Sequence, residues 1–322
     1  MQYLITGGAG FIGSHLVDKL IGRGDSVVVL DDLSTGRIDN LSQHKNNPKL
    51  EIVIGSILNV DLVDDCVRRV DSVLHLAAAV GVKNIIDKPL ESLSTNIRGS
   101  EIILEKAHKY SRPILVTSTS EIYGKNVSDS LVEEDDRILG SPLNVRWSYS
   151  EAKAIEEVLA YSYWRSKNLP ARIVRLFNTV GPRQVGFYGM VVPRFVEAAL
   201  RGDDITVYGD GNQTRCFGHV DDITDGILLV LESSDTVGKV LNIGNNEEIS
   251  IFDLAKRVIE KTNSDSDIVF IPYKEAYGEG FEDMERRVPG TQLIYNLVGW
   301  KAVKNLDEIL YDVIADVQKR IL

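Results

Sequence analysis

The stretch "YLITGGAGFIGSH", Tyr3 to His15, passes from an apolar run through three evenly spaced glycines into an amphipathic segment opening at Phe11. Gly7, Gly10 and Gly13 form a G-x-x-G-x-x-G pattern. Glycine permits a tight turn and close backbone approach, and the first N–H groups of a helix can receive a pyrophosphate. The spacing is wider than the G-x-G-x-x-G fingerprint, so the strand before it and the helix after it carry the reading. Gly7, Gly10, Phe11, Ile12 and Gly13 are therefore candidate nucleotide-binding residues.

Working outward, Asp31 and Asp32 follow "SVVVL" roughly 20 residues beyond the loop, where a carboxylate can accept hydrogen bonds from an adenosine ribose. Negative charge there repels a ribose phosphate, which favours NAD over NADP. Ser56 and Ile57 in "GSILN" are placed to hold an adenine edge. Leu76, Ala77 and Ala78 in "HLAAAV" put small residues beneath a cofactor. His75 reads as a buried strand-end hydrogen bonder.

Around this loop, "YLIT", "SVVVLD", "LEIVIG", "SVLHLA", "RPILVTS" and "ARIVRLF" read as buried strands. Helices are expected from Phe11, over Leu62 to Val70, Ser94 to His108 and Tyr149 to Ser166. This alternation predicts an α/β fold, a mainly parallel sheet with helices on both faces. After Asn178 the spacing becomes irregular and rich in glycine. Residues 1–178 with 218–245 are read as the nucleotide-binding domain, and 179–217 with 246–322 as a smaller mixed α/β lobe ending in a helix from Leu306 to Ile321.

The 322 residues are 43% hydrophobic and 26% charged, an ordinary globular composition. A net charge of -11 disfavours nonspecific binding to nucleic acid or an acidic membrane. No apolar run is long enough to span a bilayer. Met1 to Thr6 leads straight into the glycine loop, leaving no room for a signal peptide. Cys66 and Cys216 alone do not make a disulfide framework and suit a reducing cytoplasm. Neither clustered cysteines nor an H-E-x-x-H pattern supports zinc, and no metal is assigned. The acidic run "VEEDD" reads as a solvated surface.

Tyr149 and Lys153 in "YSEAK" share one helix face, where a cationic lysine can stabilise a deprotonated tyrosine. Tyr149 can then take a hydroxyl proton while the carbon loses hydride to NAD⁺. "TSTSEIYG" ends a strand at the same sheet edge. There Thr119 can hold the reacting hydroxyl, Ser120 a substrate oxygen, and Glu121 a place in the reaction.

The ordered motifs "TGGAGFIGSH", "HLAA", "TSTSEIYG", "YSEAK", "RLFNTVGPRQ", "VYGDGNQTRCFGHVDD", "NIGN" and "LVGW" span nearly the whole chain. Together they resemble the extended short-chain dehydrogenase/reductase family, in its nucleotide-sugar epimerase, dehydratase and decarboxylase branch. The resemblance implies a Rossmann-like NAD domain and a smaller lobe around a nucleotide diphosphate sugar, with a UDP- or thymidine-linked sugar favoured. It also implies a homodimer built through the helices near Ser94 to His108 and Tyr149 to Ser166. By the same resemblance Asn178, Arg215 and Arg287 contact sugar or phosphate, and Val192 in "GMVVPRF" walls the base or packs in the core.

The branches of this family share oxidation at sugar C4 and differ afterwards. Dehydratases it resembles carry an Asp-Glu pair where this chain has Ser120 and Glu121, and 4-epimerases a small or hydroxyl residue at the Glu121 position. Uronic acid decarboxylases carry Ser and Glu, some with an "RW-YS--K" pattern like Arg146, Trp147, Tyr149, Ser150 and Lys153. The favoured expectation is decarboxylation of UDP-glucuronate to UDP-xylose. A UDP-sugar 4-epimerase, a 4,6-dehydratase and an inactive NAD-responsive binding protein stand as alternatives. Gly290 departs from the pattern, replacing the Asp often found after the "RxP" element.

Overall fold

The computed structural model describes residues 1–80, 88–186, 190–277 and 284–321. Strands β1 (Gln2–Thr6), β2 (Ser26–Asp31), β3 (Leu50–Ile54), β4 (Ser72–His75), β5 (Ile114–Thr119) and β6 (Ala171–Leu176) are followed by four short strands. These are β7 (Thr179–Val180), β8 (Ile205–Tyr208), β9 (Thr214–Cys216) and β10 (Gly218–His219), after which comes β11 (Val240–Ile243). A seven-stranded parallel sheet has the order β11-β6-β5-β4-β1-β2-β3. The expected α/β class is therefore correct.

Side chains of β1 and β2 alternate between two cores. Tyr3, Ile5, Val27 and Val29 face one side, with Tyr3 opposite Val27 and Ile5 opposite Val29. Leu4, Val28 and Leu30 face the other. Both faces are apolar because both are covered. Helices α1 (Phe11–Gly22) and α6 (Val220–Glu232) cover the first through Leu16, Val17, Leu20, Ile223 and Ile227. Helices α2 (Val60–Arg68), α3 (Pro89–Lys109) and α4 (Ser148–Lys167) cover the second through Val63, Val67, Ile103, Ala107 and Ala160.

A third core joins α5 (Val191–Arg201), α7 (Ile251–Thr262) and α9 (Leu306–Ile321) through Phe195, Leu254 and Leu310. Short helix α8 (Gln292–Val298) adds Ile294 to the first core. Strand β12 (Glu248–Ser250) lies antiparallel to β9, and β13 (Ile268–Ile271) parallel to β8.

Two expectations need correction. Helix α3 starts at Pro89, ahead of Ser94, with proline in the first turn where its missing N–H costs nothing. Within "VEEDD", Glu133 turns inward and accepts the Asn242 N–H at 2.7 Å, and burial raises its carboxyl above the ordinary range. No described helix is long and apolar enough to cross a membrane. Among the described residues no cluster of three or more His, Cys, Asp or Glu side chains could hold a metal ion.

Candidate active site

The sheet order reverses direction beside β1, between β2 and β4, and ligands in open α/β sheets gather at the carboxyl ends of strands near such a point. A cleft of about 550 Å³ opens there. Its wall includes Gly7, Gly10, Phe11, Ile12 and Gly13. Gly7 has φ +73°, and a Cβ on it would lie 2.9 Å from the Ala77 nitrogen, so only glycine fits. A Cβ on Gly13 would run into the Gly7 carbonyl. Gly10 caps α1 without a side chain, which leaves the first helical amides available to an anion.

Asp31 lines the cleft as expected; it is largely buried, and its carboxylate accepts the N–H groups of Ala9 and Leu33, each at 2.9 Å. Burial nevertheless raises its carboxyl above the ordinary range. Asp32 lies exposed at the rim and accepts the Ser34 N–H at 3.0 Å. Leu76, Ala77, Ala78 and Ile57 also line the cleft. Ser56 is not among its lining residues; its hydroxyl accepts the Leu58 N–H at 3.2 Å in the turn leading to α2. The uncapped amides, the small residues and the ribose-side acids suit a dinucleotide such as NAD.

Farther along the wall, Thr119 ends β5, and its hydroxyl accepts the Glu121 N–H at 3.2 Å. Tyr149 and Lys153 face the same cleft from the start of α4. Lys153 Nζ donates to the Thr117 carbonyl at 3.0 Å and to Glu156 at 2.9 Å. Tyr149 is held well above the ordinary phenol range, first by burial and then by the carboxylates of Glu121 and Glu156. A lysine field lowering the tyrosine was expected. The observed arrangement differs: burial and the two carboxylates raise the tyrosine, and Lys153 is hydrogen-bonded to Glu156.

Glu121 stands among cations. Arg146 donates to its two oxygens at 2.7 and 3.3 Å, and Arg287 Nη1 lies 3.8 Å away. Burial pushes the Glu121 carboxyl up, but Arg146, Arg287 and Arg215 together hold it below the ordinary range. Arg287 also donates to Ser120 Oγ at 3.4 Å and to Asn178 Oδ1 at 3.0 Å. Asn178 Nδ2 in turn donates to the Cys216 carbonyl at 3.0 Å. Arg215 lines the cleft while one of its amino groups holds the Thr214 carbonyl at 2.8 Å. Val192 is both fully buried in the third core and part of the cleft wall.

In the segment around Arg287, Glu279 and Glu282 lie outside the described residues. Arg286 pairs with Glu248 at 2.7 Å, away from the cleft. The sequence reading gave no role to Arg146 or Glu156. Helical spacing carried the signal for Glu156, since 149, 153, 156 and 160 share one face. Nothing local in the sequence pairs Arg146 with an acid 25 residues away.

The sequence profile described as GDP-mannose 4,6 dehydratase matches residues 4–313. The chain belongs to the GDP-mannose 4,6 dehydratase family. This family falls within the extended short-chain dehydrogenases/reductases that modify nucleotide sugars with NAD, as the sequence motifs implied. One family relative, the UDP-N-acetyl-alpha-D-glucosaminuronate decarboxylase of Bacillus cytotoxicus, is 41% identical over 89% of this chain and 88% of its own length. UDP-glucuronic acid decarboxylase 4 of Arabidopsis thaliana is 37% identical over 100% of this chain and 69% of its own. A solved UDP-glucuronic acid 4-epimerase from Bacillus cereus, in complex with UDP-glucuronic acid and NAD, superposes with a TM-score of 0.90. It is 26% identical and covers 99% of this chain and 100% of that one.

Proposed function

We propose that this protein decarboxylates a UDP-linked hexuronate, with UDP-glucuronate giving UDP-xylose. One observation carries the reading: Ser120, Glu121, Asn178 and Arg287 converge beside Tyr149 at the end of β5. Guanidinium groups are suited to recognising a carboxylate. The two decarboxylase relatives support the same reaction.

NAD, when bound, supplies a hydride acceptor for C4 that later returns the hydride. Tyr149 takes the C4 hydroxyl proton, and the Thr119 hydroxyl orients that oxygen. The C4 ketone is then beta to the C6 carboxylate and receives the electron pair of the C5–C6 bond as carbon dioxide leaves. Arg287 positions the carboxylate. Glu121, held ionised by Arg146, orients the ring and, as an acceptor, positions the water that returns a proton to C5. Gly7, Gly10, Phe11, Ile12, Gly13, Asp31, Asp32, Ile57, Leu76, Ala77 and Ala78 hold the dinucleotide, while Arg215 and Val192 hold the nucleotide end of the sugar donor. Residues 1–178 with 218–245 serve the cofactor, and 179–217 with 246–322 the sugar.

The reading includes a homodimer. Ile155, Val158 and Tyr161 are 42%, 64% and 40% exposed and recur every three residues on α4, an apolar stripe suited to a second copy. Val158→Glu should halve the mass seen by sedimentation, and an unchanged mass counts against this face. It also includes a cytoplasmic location, supported by two buried, unpaired thiols, Cys66 and Cys216. Exclusion from the cytoplasmic fraction of the cells that make the protein would end that part.

The test is incubation with carboxyl-labelled UDP-glucuronate, its 2-acetamido counterpart, UDP-glucose, UDP-galactose and dTDP-glucose, followed by mass and stereochemical analysis. Release of labelled carbon dioxide is expected from a uronate. A second reading, C4 epimerisation of the uronate, is favoured by the likeness to the solved 4-epimerase. Interconversion of C4 epimers without loss of carbon dioxide would establish it and reject decarboxylation.

A further inference from the structure

Tyr149, Lys153, Glu156 and Ala160 follow one another along a single face of α4. Glu156 is wholly buried at the centre of that row. A carboxylate in packed protein is costly unless it is paired, and Glu156 Oε2 takes a hydrogen bond from Lys153 Nζ at 2.9 Å. Its other oxygen has no hydrogen-bond partner. Such a group is not filler, because an apolar side chain of similar volume would pack there without cost.

A polar chain from the cofactor loop runs toward the same carboxylate. The Thr6 hydroxyl accepts the Ala77 N–H at 3.1 Å and lies 2.7 Å from His75 Nδ1. His75 Nε2 lies 2.9 Å from Ser100 Oγ. The Thr6 hydroxyl, the His75 ring and the Ser100 hydroxyl thus form one hydrogen-bonded row. Ser100 stands beside Glu156 and favours its ionised form. Burial keeps His75 neutral, with its pKa pushed down to about 3.

We propose that Glu156 is a positioning residue for the redox step: it anchors Lys153 one turn from Tyr149 and offsets the lysine charge that the tyrosine hydroxyl meets. The proposal rests on the reading of Tyr149 as the C4 base. The consequence is that Tyr149 ionises at a higher pH than a lysine alone would set. The groups facing this pair are Lys153 and Glu157 on α4, Ser100 on α3, His75 on β4 and Glu121 after β5. Glu157 is already engaged by Arg175 at 2.9 and 2.8 Å.

The experiment titrates Tyr149 in the NAD-bound protein with no sugar present. Its signal is the tyrosinate absorption that each protein loses on Tyr149→Phe substitution. Glu156→Gln should lower the midpoint by about 1 pH unit or more, the effect expected for removing a nearby negative charge. Glu156→Asp, which keeps the charge, should restore the wild-type midpoint. Ser100→Ala should move it the same way by less, and decides the matter if Glu156→Gln does not fold. An unchanged midpoint in Glu156→Gln, or in Ser100→Ala where Glu156→Gln does not fold, would overturn the proposal. A wild-type protein that titrates as described but releases no carbon dioxide would instead reject the decarboxylase reading alone.

Discussion

The Arg146 guanidinium clasps the Glu121 carboxylate with two amino groups, at 2.7 and 3.3 Å, and Arg146 is only 4% exposed. The two residues come from short 3-10 turns, Ser120–Tyr123 after β5 and Val145–Trp147 before α4. The pair therefore ties the start of the helix that carries Tyr149 to the end of the strand that carries Thr119. It fixes the acid as an acceptor rather than a proton donor.

Removing one partner of a buried pair strands the other charge. Arg146→Met should cost about 3–5 kcal/mol of stability, read by urea unfolding. Arg146→Lys should cost less, since it keeps the charge and loses only the paired geometry. A Met variant as stable as wild type would mean that the clasp contributes nothing.

Glu121 and Tyr149 separate by the step at which each variant stops. Tyr149→Phe should cut both NADH formation and carbon dioxide release by roughly 1000-fold, because both follow C4 oxidation. Glu121→Gln should still form NADH from a hexuronate while carbon dioxide release falls roughly 100-fold. Stopped-flow absorbance at the nicotinamide band and trapped label give the two rates. Equal losses in both rates for Glu121→Gln would remove it from the later steps.

The sheet and its helices were legible because β1 through β6 are short apolar runs separated by helix-period segments. The glycine loop declared itself by spacing and by the strand before it. Partnerships across the fold were not legible. Lys153 was read with Tyr149, its neighbour one turn back, and the fold adds Glu156, one turn forward, which the reading did not include. Asp31, read as a ribose acceptor, lines the cleft, and its oxygens also hold the Ala9 and Leu33 amides, a partnership that only the folded turn creates. Glu133 looked solvated because its neighbours in sequence are acidic, yet Asn242 reaches it from more than 100 residues away. Side-chain pairing of this kind follows from strand order, which hydrophobic periodicity does not encode.

Gly290, the departure from the expected aspartate, has a steric cause. Its N–H donates to the Leu131 carbonyl at 2.8 Å, and a Cβ there would lie 2.7 Å from Val132 and 3.1 Å from Ser130 Oγ. Gly290→Asp should destabilise the protein by about 1–3 kcal/mol through overpacking, with no gain in turnover. Thermal unfolding and steady-state assays read both, and a more active variant of unchanged stability would show that a carboxylate was missing.

His75 gives a pH dependence of defined sign. Burial holds the folded-state pKa at about 3, against 6.5 for an ordinary histidine. Between those values the unfolded chain binds a proton that the native ring refuses, so acid favours unfolding. The stability His75 contributes is complete above pH 6.5 and is lost at up to about 1.4 kcal/mol per pH unit as the pH falls toward 3. His75→Asn removes the titration while retaining a donor and an acceptor. Urea unfolding at pH 7, 6 and 5 should show wild-type stability falling more steeply than that of the variant. Parallel slopes would place the acid sensitivity elsewhere, with His15 and His219, which burial also holds below the ordinary range, as the groups to substitute next.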